Sequence, residues 1–257
     1  PENTILNAPH PAAVYARSVM GHMLPDVVYG CLDQALPDTV PAEGTSSLWN
    51  LSLLAGHGLT GMEGSAVRAF NVTTFHSGGA GARPRQDGLS ATPFPSGVRN
   101  VPIEITEAIT PLVVWRKELR RGSGGPGRQR GGLGQHMEIA NRDGAAFGIQ
   151  ARFERGVYPA RGRSGGEAGA KGRLSLATGA SLAIKGLQII PAGDRLIVEM
   201  PGGGGYGDPF ARDPALVARD VYYGLIELGQ AEAEYGVVLT AEGEVNAAAT
   251  HRRRASR

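Results

Sequence analysis

Residues 133–153 read Leu-Gly-Gln-His-Met-Glu-Ile-Ala-Asn-Arg-Asp-Gly-Ala-Ala-Phe-Gly-Ile-Gln-Ala-Arg-Phe. Leu133, Gln135, Met137 and Ile139 alternate with polar or small neighbours, and Phe147, Ile149, Ala151 and Phe153 repeat the pattern. A side-chain period of two marks a half-buried strand. Asn141-Arg142-Asp143-Gly144 lies between the two runs, and an Asp-Gly turn so flanked predicts an antiparallel hairpin. A sheet is therefore the expected centre of the fold.

Short strands are predicted on both sides of that hairpin. Upstream they cover Leu48–Leu54, Ala66–Phe75, Val101–Thr106 and Pro111–Leu119, and downstream Leu174–Leu176, Leu182–Ile190 and Leu196–Met200. The ends read differently. Pro11–Leu36 has apolar residues at helical spacing, with Pro25 expected to kink it or divide it in two. Asp213 is positioned to cap a helix that has Pro214 in its first turn and runs to Gly224. A second helix is expected over Gln230–Tyr235, closed by a left-handed Gly236, with a short strand at Val237–Leu239. The predicted class is α+β: a β-rich body of short, mainly antiparallel strands, an N-terminal helical segment and a C-terminal helical cap. The expected regions are 1–120, 121–210, the cap at 211–250 and a disordered basic tail at 251–257.

With 39 Gly and 17 Pro in 257 residues, turns and irregular backbone should be abundant, yet no collagen-like triplet repeats. The tail holds Arg252, Arg253, Arg254 and Arg257, and without these four charges the net +2 becomes −2. The body thus offers no electrostatic case for nucleic acid. Cys31 is the single cysteine, which excludes a disulfide framework and points to a reducing, cytoplasmic setting. Between Val28 and Leu32 it is expected to be a buried core thiol. No stretch approaches a membrane-spanning length, and the first residues do not read as a signal peptide.

The functional candidate is the ribbon His76–Glu104, where five glycines and four prolines exclude regular structure. Phe94, Val98 and Val101 provide apolar anchors among Arg83, Arg85, Asp87 and Arg99, so the ribbon reads as ordered rather than as a linker. Arg83, Arg85 and Arg99 suit bidentate recognition of a carboxylate or phosphate, or else pair with Asp87 and Glu104 to hold the ribbon. His76, at a strand end, is either a proton carrier or a structural histidine. Gly162–Gly172 reads as a mobile loop.

Other motifs resolve to ordinary structure. Gly202-x-Gly204-x-x-Gly207 matches a dinucleotide fingerprint formally, but Asp208-Pro209 and Asp213-Pro214 separate it from the helix whose amides would face a pyrophosphate. Residues 166–172 lack the glycine before Lys171 and the hydroxyl after it that a phosphate loop needs. No Gly-x-Ser-x-Gly elbow is present. His22 and Asp26 lie one turn apart, and without a third ligand they read as a polar pair on a solvent face.

The ribbon His76–Glu104, the pieces Gly124–Gly127 and Arg130–Gly134, the run Pro201–Pro209 and the stretch Asp213–Val238 occur in the order found in the hydantoinase B/oxoprolinase family. Taken together they resemble the C-terminal half of a hydantoinase B-like polypeptide. The resemblance implies ATP-dependent hydrolytic opening of a cyclic amide such as hydantoin, N-methylhydantoin or 5-oxoproline. A hydantoinase A-like partner would bind ATP with Mg and phosphorylate the amide oxygen, turning it into a leaving group. A divalent metal would belong to the N-terminal half of the hydantoinase B-like polypeptide, so this chain is expected to bind no cofactor itself. It is expected in an oligomeric complex and inactive alone. Within that complex His76, Arg83, Asp87 and Arg99 are the expected catalytic residues, with Asp87 orienting the arginines, and Gly78, Gly79, Gly81 and Ser90 are expected to bind substrate. A non-catalytic assembly module and a component like one of acetone carboxylase are the alternatives.

Overall fold

A computed structural model describes residues 1–4, 7–12, 14, 17–56, 68–92 and 94–256. The expected α+β class holds. Helices α1 (Arg17–Gly21) and α2 (Leu24–Ala35) lead into strands β1 (Trp49–Ala55) and β2 (Phe70–His76). Pro25 separates the two helices by sitting in the first turn of α2, where its missing N–H costs nothing. Helix α3 (Ile103–Ile109) and strands β3 (Leu112–Leu119), β4 (Gln135–Asn141) and β5 (Phe147–Arg152) follow. Strands β6 (Arg173–Leu176), β7 (Ser181–Leu182), β8 (Lys185–Ile190) and β9 (Arg195–Glu199) complete the body. Helices α4 (Pro214–Tyr222), α5 (Leu228–Tyr235) and α6 (Ala247–Ala255) form the C-terminal cap.

The strands make two antiparallel sheets, ordered β2-β1-β5-β8 and β3-β4-β9-β6-β7. Leu51, Leu53, Phe147 and Ile149 from the first share one core with Met137, Ile139, Leu174, Leu196 and Val198 from the second, so the sheets pack face to face. Trp49 stacks on Phe153 at 4.3 Å between ring centroids. Both sheets draw on strands from either side of position 120.

The predicted hairpin is corrected here. Both strands exist, but β4 pairs with β3 and β9 while β5 pairs with β1 and β8. Residues 142–146 arch from one sheet to the other instead of folding back. Face-to-face sheets lie about 10 Å apart, a gap that five residues span. Period-two alternation is equally satisfied by two strands side by side and by two strands facing each other, which is why the pattern does not separate them. The predicted strand Leu182–Ile190 likewise divides between the sheets as β7 and β8.

Other expectations also change. Residues 103–109 are helical rather than extended, with Pro102 as the N-cap residue and Glu107 Oε1 accepting the Val114 N–H at 2.9 Å. β-Branched residues favour strands only where sheet neighbours exist to pack them. Val237–Leu239 yields a single bridge from Leu239 to Val245. Part of the predicted strand Ala66–Phe75 lies outside the described residues; residues 70–75 belong to β2. Cys31 is exposed on α2. Residues 251–255 are helical, not disordered, and Arg254 donates to the carbonyls of Tyr235 and Arg212. Among the described residues no helix is long and apolar enough to cross a membrane.

The strand registers set up the rest of the molecule. Trp49 faces His76, Leu119 faces Gln135, and Glu199 is opposite both His136 and Arg173. The segments before β1, after β2, between β3 and β4, between β5 and β6, and after β9 therefore all leave from one end of the sandwich.

Candidate functional site

At that end the glycine-rich segments form a bundle of extended chains tied by backbone hydrogen bonds. Pro201–Gly207 runs through its middle. Gly203 N–H donates to the Gly132 carbonyl at 2.9 Å, and Gly204 N–H to Glu43 at 2.8 Å. Gly205 N–H donates to Glu167 at 2.9 Å, and Tyr206 N–H to Gln129 at 2.9 Å. Gly79, Ala80 and Ala82 are tied to Pro201, Leu89 and Gly204 in the same way. A Cβ on Gly79 would lie 1.8 Å from the Gly132 oxygen, and one on Gly202 would lie 1.8 Å from the Ser123 oxygen. The glycines are thus packing devices for chains closer than any side chain allows. Residues 162–172, expected to be mobile, belong to the bundle through Arg163, Glu167 and Ala170, whose N–H groups donate to Gly205, Pro126 and Ser123. The fingerprint-like Gly202 and Gly204 are occupied by the same packing, and Gly207 supplies a left-handed turn at φ 73°.

Two buried ion clusters lock the bundle to its surroundings. In the first, Arg212 is 0% exposed. Its Nη1 and Nη2 each donate to the Asp87 carboxylate at 2.7 Å, and Nη2 also reaches Asp220 at 2.7 Å. Arg130 Nε donates to Asp220 at 3.3 Å, and the Arg130 N–H donates to Asp87 at 2.7 Å. Burial alone would raise the Asp87 pKa, but the Arg212 and Arg130 contacts outweigh it and hold the carboxyl below its usual range. In the second cluster Arg155 donates to Asp26 at 2.5 Å and to Glu43 at 2.9 Å, and Arg161 Nε donates to Glu43 at 2.7 Å. Burial pushes the Asp26 pKa up despite hydrogen bonds from Ser46, at 2.6 Å, and Arg155. His22 and Asp26 are therefore not a surface pair. Asp26 is buried, and burial lowers the pKa of His22.

Beside the second cluster lies a cavity of about 280 Å³. Asp26 and Tyr29 of α2, Pro41, Ala42 and Gly44, Ala80–Gly81, Arg83, Leu89, Thr92 and Phe94 line it. The Tyr29 and Phe94 rings stack 6.5 Å apart with planes 12° from parallel. Its size is at the lower end for ligand sites. It combines an aromatic pair, an exposed guanidinium and a carboxyl of raised pKa, a set able to stack a small flat ring and bond to its polar edge.

Of the residues expected to act on substrate, only Arg83 and Gly81 meet at this cavity. Arg83 is exposed, and its Nη2 donates to the Asp87 backbone carbonyl at 3.3 Å. The Asp87 carboxylate serves Arg212 and Arg130, not Arg83 or Arg99, which corrects the expected orienting role. Arg99 lies on the exposed stretch 97–100. Gly78 and Gly79 pack against Thr45, Pro201 and Gly132, and the Ser90 hydroxyl accepts the Leu133 N–H at 3.1 Å.

His76 sits apart, near Leu53, Thr106, Leu112 and Met137, with Nε2 paired to the Thr74 hydroxyl at 2.9 Å. Burial, and then the Lys117 charge, depress its pKa to about 3. A histidine lowered from 6.5 to about 3 stays neutral in the native state while the unfolded chain protonates. The stability this histidine contributes is complete above pH 6.5 and is lost as pH falls toward 3. His76→Gln should flatten that decline in urea titrations between pH 4 and 6.5; an unchanged slope would remove His76 as its source.

Asp26, Tyr29 and Arg155 were not singled out from sequence for this site. The regular spacing of Asp26, Tyr29 and Asp33 along α2 carries a signal, but nothing in it says that this polar side turns inward. Among the described residues no group of three or more His, Cys, Asp or Glu side chains could hold a metal.

The chain matches the hydantoinase B/oxoprolinase family model over residues 1–209. It is 30% identical, over 96% of its length and 41% of the relative's, to the B component of a provisionally named D-/L-hydantoinase from Pseudomonas sp. (strain NS671). It is 33% identical to the caprolactamase beta subunit of Pseudomonas jessenii, over 100% of this chain and 45% of that one. The crystal structure of the ATP-dependent caprolactamase from that organism superposes with a TM-score of 0.78 at 30% identity, covering 99% of this chain and 45% of the other. A nucleotide-free acetone carboxylase structure superposes at 0.66 and 25% identity, over 84% of this chain and 33% of the other. The chain thus spans less than half the length of these relatives. The glycine segments that build the bundle lie within the matched region, and on that evidence the chain belongs to the hydantoinase B/oxoprolinase family.

Proposed function

We propose that this chain supplies part of a component that opens a cyclic amide hydrolytically at the expense of ATP, acting in the cytoplasm on hydantoin, N-methylhydantoin, 5-oxoproline or a similar lactam. The observation that carries this reading is the superposition of 99% of the chain on an ATP-dependent caprolactamase. An unactivated amide is a poor electrophile, and phosphorylating its oxygen opens the ring carbon to water. ATP and Mg enter through a hydantoinase A-like partner, and a divalent metal that activates water resides in the remainder of a hydantoinase B-like polypeptide. This chain's share is positional. Arg83 holds a carboxylate or phosphoryl oxygen, the Tyr29–Phe94 pair flanks the ring, and Asp26 accepts or returns a proton at the ring's polar edge. His76 and Asp87 are structural supports in this reading.

Arg83→Ala in the assembled complex should lower ring opening by about 10- to 100-fold, the worth of a charge-assisted hydrogen bond. Its unfolding free energy should change by no more than about 0.5 kcal/mol, because the side chain is exposed. Steady-state rates and thermal melts on the same preparations check both. An unchanged rate would leave the chain as an assembly module, the reading favoured by the structural use of Asp87, Ser90 and the glycines.

A further inference from the structure

Helix α2 is turned inside out. Its polar side faces the protein, where Asp26 pairs with Arg155 and Asp33 lies 3.4 Å from Arg163 Nη1. The Tyr29 carbonyl accepts from the same Nη1 at 2.9 Å. On the other side Leu24, Val27, Val28, Cys31 and Leu32 recur at i, i+3, i+4, i+7 and i+8. That spacing ordinarily marks the buried stripe of an amphipathic helix. Here it faces out, with Val27 63% and Val28 54% exposed. Tyr158, 81% exposed, shares with Val27 the rim of a second depression beside the helix. A contiguous apolar face of this kind marks an interaction surface.

More than half of the caprolactamase beta subunit has no counterpart in this chain, although the chain aligns with the rest from end to end. We propose that the outward face of α2, together with Tyr158, is the docking seat for the polypeptide corresponding to that remaining portion, which meets it through an apolar surface of its own. The proposal rests on the functional reading above. It also gives that reading a geometry. Asp26 and Tyr29 on the inner side of the same helix line the cavity, so the docked portion would lie one helix width from it. A charged inner side held by three ion-pair and hydrogen-bond contacts keeps α2 in this orientation before any partner arrives.

The probe is the portion of the Pseudomonas jessenii caprolactamase beta subunit lying outside the matched region, produced as a separate polypeptide and titrated against the full chain without ATP or cyclic amide. A one-to-one complex with a Kd of about 10 µM or tighter is expected by sedimentation and calorimetry. Cys31, the chain's single cysteine, should react with a maleimide at least about 10-fold more slowly in the complex, because the apolar core of an interface excludes solvent. The double variant Val27→Glu, Val28→Glu should bind about 100-fold more weakly, with circular dichroism and the thermal midpoint unchanged. Absence of a complex, equal binding by the variant, or full Cys31 reactivity in the complex overturns the proposal. So does a homodimer of the chain alone that the variant dissolves, since the face then belongs to a second copy. A complex with protected Cys31 that opens no ring when ATP, a hydantoinase A-like partner and cyclic amides are added defeats the functional reading and leaves the docking seat standing.

Discussion

Gly79→Ala should leave the protein unfolded or nearly so, the largest effect expected from adding a single methyl group. The new Cβ would sit 1.8 Å from the Gly132 oxygen, 2.3 Å from its carbon and 2.7 Å from the Gly203 nitrogen. All three obstacles are backbone, and each is tied elsewhere: Gly132 N–H donates to Ala80, and Gly203 N–H donates to Gly132. A flexible side chain could swing aside, but here whole strands of the bundle would have to separate. Overpacking in an ordinary core costs about 1–3 kcal/mol. A clash this deep against fixed backbone should exceed about 4 kcal/mol, a large part of a typical domain's stability. Gly30→Ala in α2 is the matched control. Nothing lies within 4 Å of its Cβ position, so a gain of about 0.5–1 kcal/mol is expected from helix propensity. Urea unfolding of the two variants decides it, and a Gly79→Ala protein with a near-native midpoint would mean that the bundle is not packed as described.

The contrast between those glycines shows what the sequence could and could not reveal. Both are simply Gly in a composition already rich in it. Gly79, Gly132 and Gly203 meet in space across separations of 53 and 71 residues, and no local pattern encodes a meeting of that range. Local signals were legible where local physics decides. Asp213 accepts the Ala215 N–H at 2.9 Å with Pro214 beside it, as the cap pattern required. Gly236 ends α5 at φ 64°. The alternation in β4 and β5 correctly marked two strands and their inward residues, yet sheet membership depends on strands far away in the chain. For the site, Arg83 was legible as an exposed guanidinium on a constrained ribbon. Asp26 was not, because a polar stripe on a helix usually meets water, and here it meets Arg155, 129 residues downstream.

Arg212→Met should cost about 3–5 kcal/mol, the penalty for removing one partner from a buried ion cluster. The substitution conserves much of the volume but leaves Asp87 without its two side-chain donors and Asp220 facing it across a site where Arg130 alone remains cationic. The loss should reach beyond one contact, since Asp87 ties the ribbon, Arg130 the glycine segment 124–134 and Asp220 the C-terminal cap. Adding Asp87→Asn should recover part of it, because the amide oxygen still accepts the Arg130 N–H while one of the stranded charges is gone. Acid provides an independent check. The Asp87 pKa is lower in the folded than in the unfolded state, so its contribution is present above the unfolded value of 3.8 and disappears as pH falls through the lower folded value. Asp87→Asn should therefore flatten the loss of stability below pH 3.8 and leave the slope between that pH and 6.5, to which His76 and His22 contribute, in place. If instead Arg212→Met melts like the parent and its acid limb is unchanged, the cap and the bundle are not joined through this arginine.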